Sequence, residues 1–457
     1  MRLRWLQLDG YKRFKSSQTI KIDSKLVALV GPNEAGKTSI LQSIEHLTHD
    51  NIFERGELTR DYEPPGAVLV WAFYLDDEDR NLILDLPDGK SVKWLLVSKY
   101  AHTGRKFELR PAVKRNLRPR IKAIRQMSRV VHNPKLAVLE HDDSQYILAS
   151  LRELIADLEN TEAGQTLTTP TLTSISEMSE LAATLRDNLP FKVPAYIAGL
   201  PEALTKLVEI EREPHPSQIA VDRLRERIPV VAPFSEESRN LLSTYHLQEV
   251  HATPPLALGN LADVAGLDLS TLHEAVAHDD QAEVNTQQTR ANHRLAEVFA
   301  QEWNQSQVKV EFRINGYDLH LQIQDEGGRF STISERSDGL RQFVALMAFC
   351  LQQSIRDPLL LIDEAETHLH YDAQADMVSM LARQAVARQV IYSTHSMGCL
   401  PEDLGAGVRL VKPHISDPVS TISNRFWSEK KTRIISTNIR HGRQCARILS
   451  FAQRSAC

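Results

Sequence analysis

The sequence predicts an α/β protein in which a mixed β-sheet with helices makes two lobes, separated along the chain by a large helical insertion. Three observations predict it. A glycine-rich run at residues 31–38 stands between a continuously apolar stretch and a stretch with helical periodicity. A second apolar run, Leu359 to Ile362, ends in two carboxylates, Asp363 and Glu364. Between them, from about Ser150 to Val250, short helical patches are broken by Pro170, Pro190, Pro194, Pro201, Pro214, Pro216, Pro229 and Pro233. So many breakers rule out one unbroken coiled coil.

In chain order, Leu3, Trp5, Leu6 and Leu8 partly alternate, as do residues from Thr19 to Ile22, so two half-buried strands are expected to meet near Asp9-Gly10. Leu26 to Val30 is apolar throughout, the pattern of a strand covered on both faces. Ile40, Leu41, Ile44 and Leu47 then recur at helical spacing. Val68 to Leu75 and Val92 to Ser98 read as strands. Thr253 to Leu269, with Pro254-Pro255, Gly259 and Gly266, reads as a linker, and Thr271 to Trp303 as one long helix too polar for a core. Val308 to Ile314 and Leu319 to Ile323 flank Asn315-Gly316-Tyr317-Asp318, a hairpin signal. The expected divisions are a first lobe at 1–98, a basic and helical insertion at 99–270, a second lobe at 271–400 and a basic tail at 401–457.

At 457 residues, 42% hydrophobic and 25% charged, the composition is that of a globular protein of two or three units. No apolar run is long enough to cross a bilayer, and the opening Met1-Arg2-Leu3-Arg4-Trp5 lacks the pattern of a secretory signal, so a cytoplasmic protein is expected. Cys350, Cys399, Cys445 and Cys457 show neither close pairing nor CxxC spacing, which gives a disulfide framework or zinc site little support. The net charge of −5 is unevenly spread. Lys99 to Lys135 carries +11 and Asn424 to Cys457 carries +7, so the remainder carries −23. Two basic segments on an acidic body suggest an anionic partner, DNA or an acidic protein. In the first of them cations recur from Arg105 to Arg129 without dense aromatics, which favours phosphate-backbone contact over base stacking. A solvated helical face stays open beside that reading.

Gly31-Pro32-Asn33-Glu34-Ala35-Gly36-Lys37-Thr38 fits GxxxxGK[ST], followed by Ser39. Gly31 and Gly36 let the backbone curl so that its amides face phosphate oxygens, and the following helix N-terminus adds favourable potential. Lys37 would reach the terminal phosphates of ATP, and Thr38 would bind Mg²⁺ through its hydroxyl. Asp363, delivered at the C-terminal edge of a core strand, would hold Mg²⁺ through water, while Glu364 would polarise the attacking water. Val390-Ile391-Tyr392 is a third buried strand, ending in Ser393-Thr394-His395, and His395 is placed to contact the transferred phosphate.

Glu335-Arg336-Ser337-Asp338-Gly339-Leu340-Arg341-Gln342, followed by the helical set Phe343, Leu346, Met347 and Cys350, resembles the ABC signature in the degenerate form of RecF-like and OLD-family ATPases. Asp363 to His370 resembles the Walker B and D-loop run of those families, and Leu8 to Phe14, with Lys12 and Arg13, their N-terminal strand and adenine-side loop. The resemblance, to ABC-class ATPases of the RecF, SMC and OLD-like group, covers about residues 1–98 and 271–400. It implies a composite site: Lys37, Thr38, Asp363, Glu364 and His395 from one subunit, Ser337 and Gly339 from another, hence at least a homodimer. It explains His368 and His370 as D-loop residues rather than metal ligands. Two departures stand out: the signature's second residue is Asp338 rather than Gly, and no glutamine lies between Ser43 and Arg125 to serve as a Q-loop residue. The implied function is an ATP-hydrolysing sensor or switch on DNA or in antiphage defence. A RecF-like repair ATPase is the alternative, and a transporter subunit is disfavoured by the large insertion. Only 62 residues follow His395, with Glu402, Asp403, Asp417 and Glu429 scattered among them. That is too few acids for a metal-dependent nuclease domain, so a separate effector, nuclease or toxin, is expected to read the nucleotide state.

Overall fold

The computed structural model describes residues 1–137, 142–161, 165–189, 191–302, 309–325, 327–336, 338–351, 357–367, 369–414 and 418–426. Ser337, His368 and the basic tail beyond Phe426 lie outside the described residues. The fold is α/β, as the apolar runs predict, and divides into two compact units.

The first unit comprises Met1–Arg2, Ala72–Val97 and Lys106–Ile228. Its longer helices are Arg118–Val131, Asp142–Asn160, Thr169–Asp187, Leu200–Arg212 and Pro216–Arg225, the first four packed around Met127, Leu151, Ile175 and Leu204. The prolines that punctuate this stretch act as helix starts: Pro170, Pro201 and Pro216 each sit in the first two positions of a helix, where a missing N–H costs nothing. Two cations of the basic run turn inward. Arg120 Nη2 lies 3.0 Å and Arg115 Nη1 3.6 Å from the Glu211 carboxylate, all three side chains buried. Arg115 also donates to the carbonyls of Ile210 and Glu213 at 2.7 and 2.8 Å. Arg115 and Arg120 are therefore core residues, not part of a surface for an anionic partner.

The second unit comprises Leu3–Trp71, Ser98–Arg105 and Pro229–Cys457. Its central six-stranded sheet runs Ser420–Ser423, Val408–Pro413, Leu26–Val30, Gln389–Thr394, Leu359–Ile362, Val231–Pro233. All neighbours are parallel except the first pair. The inner strands carry unbroken apolar runs because helices cover both faces; Gln389–Thr394 is buried at every residue. Beside it, Lys309–Asn315 and Asp318–Gln324 form the expected hairpin, with Asn315 opposite Asp318 and Gly316 at φ 56 in the two-residue turn. The helix Asp338–Leu351 buries Phe343, Leu346, Met347 and Cys350, the four positions its periodicity predicts.

Two expectations are corrected here. Thr253 to Leu269 is no linker: Leu256–Ala265 is a helix with Leu258, Leu261 and Val264 in the core. Pro255 and Gly266 (φ 64) are its start and left-handed stop, signals shared by linkers and helix ends. The long polar helix is two, Leu269–Ala277 and Gln281–Glu302, parted where Asp279 takes φ 54. The second buries the stripe Val284, Ala291, Leu295 and Phe299, too narrow to show in its average polarity. The bounds of the units also differ from the 99–270 reading, because residues 229–270 supply the strand Val231–Pro233 and this helix to the second unit.

Candidate active site

The parallel register brings three strand ends to one edge. Thr394 stands opposite Val30, and Tyr392 opposite Ile362, so the loop after Val30, the carboxylates after Ile362 and the residues after Thr394 emerge together. This is the edge of an open α/β sheet where ligands bind.

The loop 31–36 leads into the helix Lys37–Glu45, with Gly36 as its N-cap at φ 98. A side chain at Gly36 would be strained by that φ and would stand 3.2 Å from the Phe14 ring, while a Cβ at Gly31 would meet the Val411 carbonyl oxygen at 2.2 Å. Both glycines are thus required by backbone geometry. The Lys37 ammonium turns back onto the loop, donating to the carbonyls of Gly31 and Pro32 at 2.9 and 3.0 Å. Burial lowers its pKa, opposed by the negative charges of Glu366, Asp363 and Glu364.

Thr38 and Asp363 are 325 residues apart in sequence, yet Thr38 Oγ1 donates to Asp363 Oδ2 at 2.7 Å. The other carboxylate oxygen accepts from Ser393 Oγ, which in turn accepts the Glu364 N–H at 2.8 Å. Arg239 donates to the Asp363 carbonyl at 2.7 Å and lies over the Phe234 ring. Asp363 is therefore held from three sides, with its carboxylate between two hydroxyls. Glu364 is exposed and takes φ 50, a conformation that turns the chain sharply at the strand end.

Arg13, Asn33, Glu34, Gly36, Lys37, Thr38, Ser39 and Glu364 line one cavity of about 280 Å³. Ala35 is buried beneath it. Lys12 lines a neighbouring cavity of about 470 Å³ with Gln42, Glu45, His46, His49, Glu54 and Glu57, its ammonium bonded to Gln42. His395 pairs with Glu366, its Nδ1 2.6 Å from Oε1. Gly339 is buried in the first turn of the helix Asp338–Leu351.

The hard oxygen donors Thr38 and Asp363 fit Mg²⁺, which keeps several waters and shares its shell with substrate phosphates. Among the described residues no group of three or more His, Cys, Asp or Glu side chains could hold a metal by itself. Sequence reasoning assigned no role to Ser393, Arg239 or Glu366. Ser393 had a signal, since it sits two residues before His395 at the end of a buried strand; Arg239 had none, being 124 residues from its partner.

Two family models match this chain: "AAA ATPase domain" over residues 1–92 and "AAA domain, putative AbiEii toxin, Type IV TA system" over residues 224–400. The first holds the glycine-rich loop, the second the carboxylates and His395. Over 100 residues the chain is 32% identical to the chromosome partition protein Smc of Halothermothrix orenii, a stretch that is 20% of this chain and 8% of that protein. Among solved structures it is similar to the SMC head domain from Thermotoga maritima, at 13% identity and TM-score 0.38, covering 93% of this chain and 98% of the other. It is likewise similar to the Smc head domain of Pyrococcus furiosus bound to the C-terminal domain of ScpA, at 13% identity and TM-score 0.38, covering 92% and 95%.

Proposed function

We propose that this chain, which carries an ABC-class ATPase domain of the SMC and RecF-like kind, is a cytoplasmic ATP-hydrolysing switch whose nucleotide state is read by a separate effector. The observation that carries the ATPase reading is the Thr38–Asp363 bond, which joins the phosphate loop to the strand-end carboxylates. In this reading Lys37 and the loop amides hold the phosphates, Thr38 and Asp363 hold Mg²⁺, and Glu364 takes the proton of the attacking water. His395 meets the transferred phosphate, and Ser337 and Gly339 of a second copy close the site. Mg²⁺ supplies charge neutralisation between the phosphate oxygens when bound. The test is Mg²⁺-dependent ATP hydrolysis by the purified chain, abolished in both Glu364→Gln and Lys37→Ala; a Glu364→Gln chain that turns over like the parent would sink the assignment of the base.

A role in antiphage defence is supported by the description of the matched family, which names a toxin of a toxin–antitoxin system. The second reading, DNA repair or chromosome maintenance, is favoured by the stretch shared with Smc. In both, an anionic partner would find a basic stripe on the first unit. Arg118, Lys122, Arg125 and Arg129 are exposed along the helix Arg118–Val131 at spacings of four, three and four, so they form one stripe, and among the described residues none has an ion-pair partner. Such a stripe, about 16 Å long at 1.5 Å per residue, fits a nucleic-acid phosphate backbone.

A further inference from the structure

Glu366 stands two residues beyond Glu364 with its side chain 5% exposed, whereas His395, at the end of the neighbouring strand, is 55% exposed. One carboxylate oxygen, Oε1, accepts the His395 backbone N–H at 2.7 Å and lies 2.6 Å from His395 Nδ1. Two contacts from a single oxygen, one to the backbone and one to the ring, fix both where this residue sits and how its imidazole is turned. The second oxygen, Oε2, is buried with no hydrogen-bond partner among the described residues. Burying a carboxylate oxygen without a partner is costly, which makes the two contacts of Oε1 the ones that hold this side chain in place. Its charge also heads those that hold the Lys37 pKa up against burial, which puts it electrostatically within the phosphate site.

An ionised carboxylate can only accept, so the proton in this pair resides on Nδ1 and Nε2 is left as the ring's free nitrogen. We propose that Glu366 is a positioning residue: by accepting from Nδ1–H it holds His395 in the Nδ1-protonated tautomer at the strand edge, so that Nε2 faces the nucleotide, free to take up a proton there and, once protonated, to donate to an oxygen of the transferred phosphate. The inference rests on the ATPase reading for the purpose of the tautomer, not for its existence.

Two measurements test it, and they fail separately. In the nucleotide-free protein with nitrogen-15 histidine, His395 is assigned by its loss in His395→Gln. The parent is expected to show the Nδ1–H form, Glu366→Gln to retain it because the amide oxygen still accepts, and Glu366→Ala to revert to the Nε2–H form usual for free histidine. An Nε2–H form in the parent, or an unchanged tautomer in Glu366→Ala, overturns the proposal whatever the chain hydrolyses. In the ATPase assay Glu366→Ala is expected to lower kcat about 100-fold, the lower end for loss of a positioned acid–base group, with KM for ATP nearly unchanged. On a His395→Ala background the same change is expected to have no further effect, and Glu366→Gln is expected to recover most of the rate. An equal loss in both backgrounds would show that Glu366 acts other than through His395. A parent chain without ATPase activity would remove the functional reading and leave the tautomer measurement to decide Glu366.

Discussion

Lys37 and Glu364 line the same cavity, but they face different tasks, and their substitutions should separate. In the proposed site Lys37 is the cation for the terminal phosphates, so Lys37→Ala is expected to lose nucleotide binding, measured by calorimetry. Glu364→Gln preserves shape and much of the hydrogen bonding while removing the proposed base, so it should bind ATP and lose about a hundred- to ten-thousandfold in turnover. Gly31 offers a backbone test of the same site. With the Val411 carbonyl 2.2 Å from where a Cβ would stand, Gly31→Ala must push either the loop or the strand Val408–Pro413 aside. It is expected to destabilise the fold by about 1–3 kcal/mol, as overpacking does, and to weaken nucleotide binding; a melting temperature and affinity equal to the parent's would show that the loop can move freely. The loop was legible because GxxxxGK[ST] states its own geometry in sequence. Arg239 and Glu366 were not, since the partner of each lies on a distant segment, and Ser393 showed only through its place at the end of a buried strand.

At the scale of elements, the helix Arg118–Val131 shows what a charge count can and cannot reveal. The run from Lys99 to Lys135 reads as +11 whichever way its side chains point, and the residue that turns Arg120 inward, Glu211, lies 91 positions away. Neutralising Arg118, Lys122, Arg125 and Arg129 together is therefore expected to weaken nucleic-acid binding and to flatten its salt dependence, by up to about 0.9 per lost phosphate contact, with the melting temperature kept. Arg120→Ala should do the reverse: it leaves the buried Glu211 carboxylate short of a partner and should cost about 3–5 kcal/mol of stability. An unchanged salt slope in the quadruple variant would remove the stripe from the interface. Elements with strong internal signals, such as Leu26–Val30, Leu359–Ile362 and the hairpin at Gly316, were legible because burial on both faces or a tight turn dictates composition locally. The helix Leu256–Ala265 was not, because prolines before it and a glycine after it mark helix ends and linkers alike.

At the scale of the whole molecule, the second unit gathers its site from segments far apart, Gly31 to Ser39 and Asp363 to His395, with the first unit's 106–228 inserted between them. The helix Asp338–Leu351, which follows the run that resembles a signature, belongs to this same unit. Whether its N-terminal residues complete the site of their own chain or of a second copy can be decided by mixing two inactive variants. Lys37→Ala removes the phosphate-binding cation but leaves the signature untouched. Ser337→Arg leaves the loop and carboxylates untouched but puts a bulky cation in the run that the composite reading assigns to the second copy's side of the nucleotide. Each alone should hydrolyse no ATP, since every pair of copies then lacks one half of both sites. Mixed, they should regain hydrolysis, because the Ser337→Arg copy contributes an intact loop and the Lys37→Ala copy an intact signature, making one whole site per mixed pair. The same logic predicts that Glu364→Gln with ATP and Mg²⁺ accumulates as a dimer by sedimentation, whereas Lys37→Ala does not. If the mixture stays inactive while Glu364→Gln sediments as a monomer with ATP bound, the site is completed within one chain and the composite arrangement is wrong.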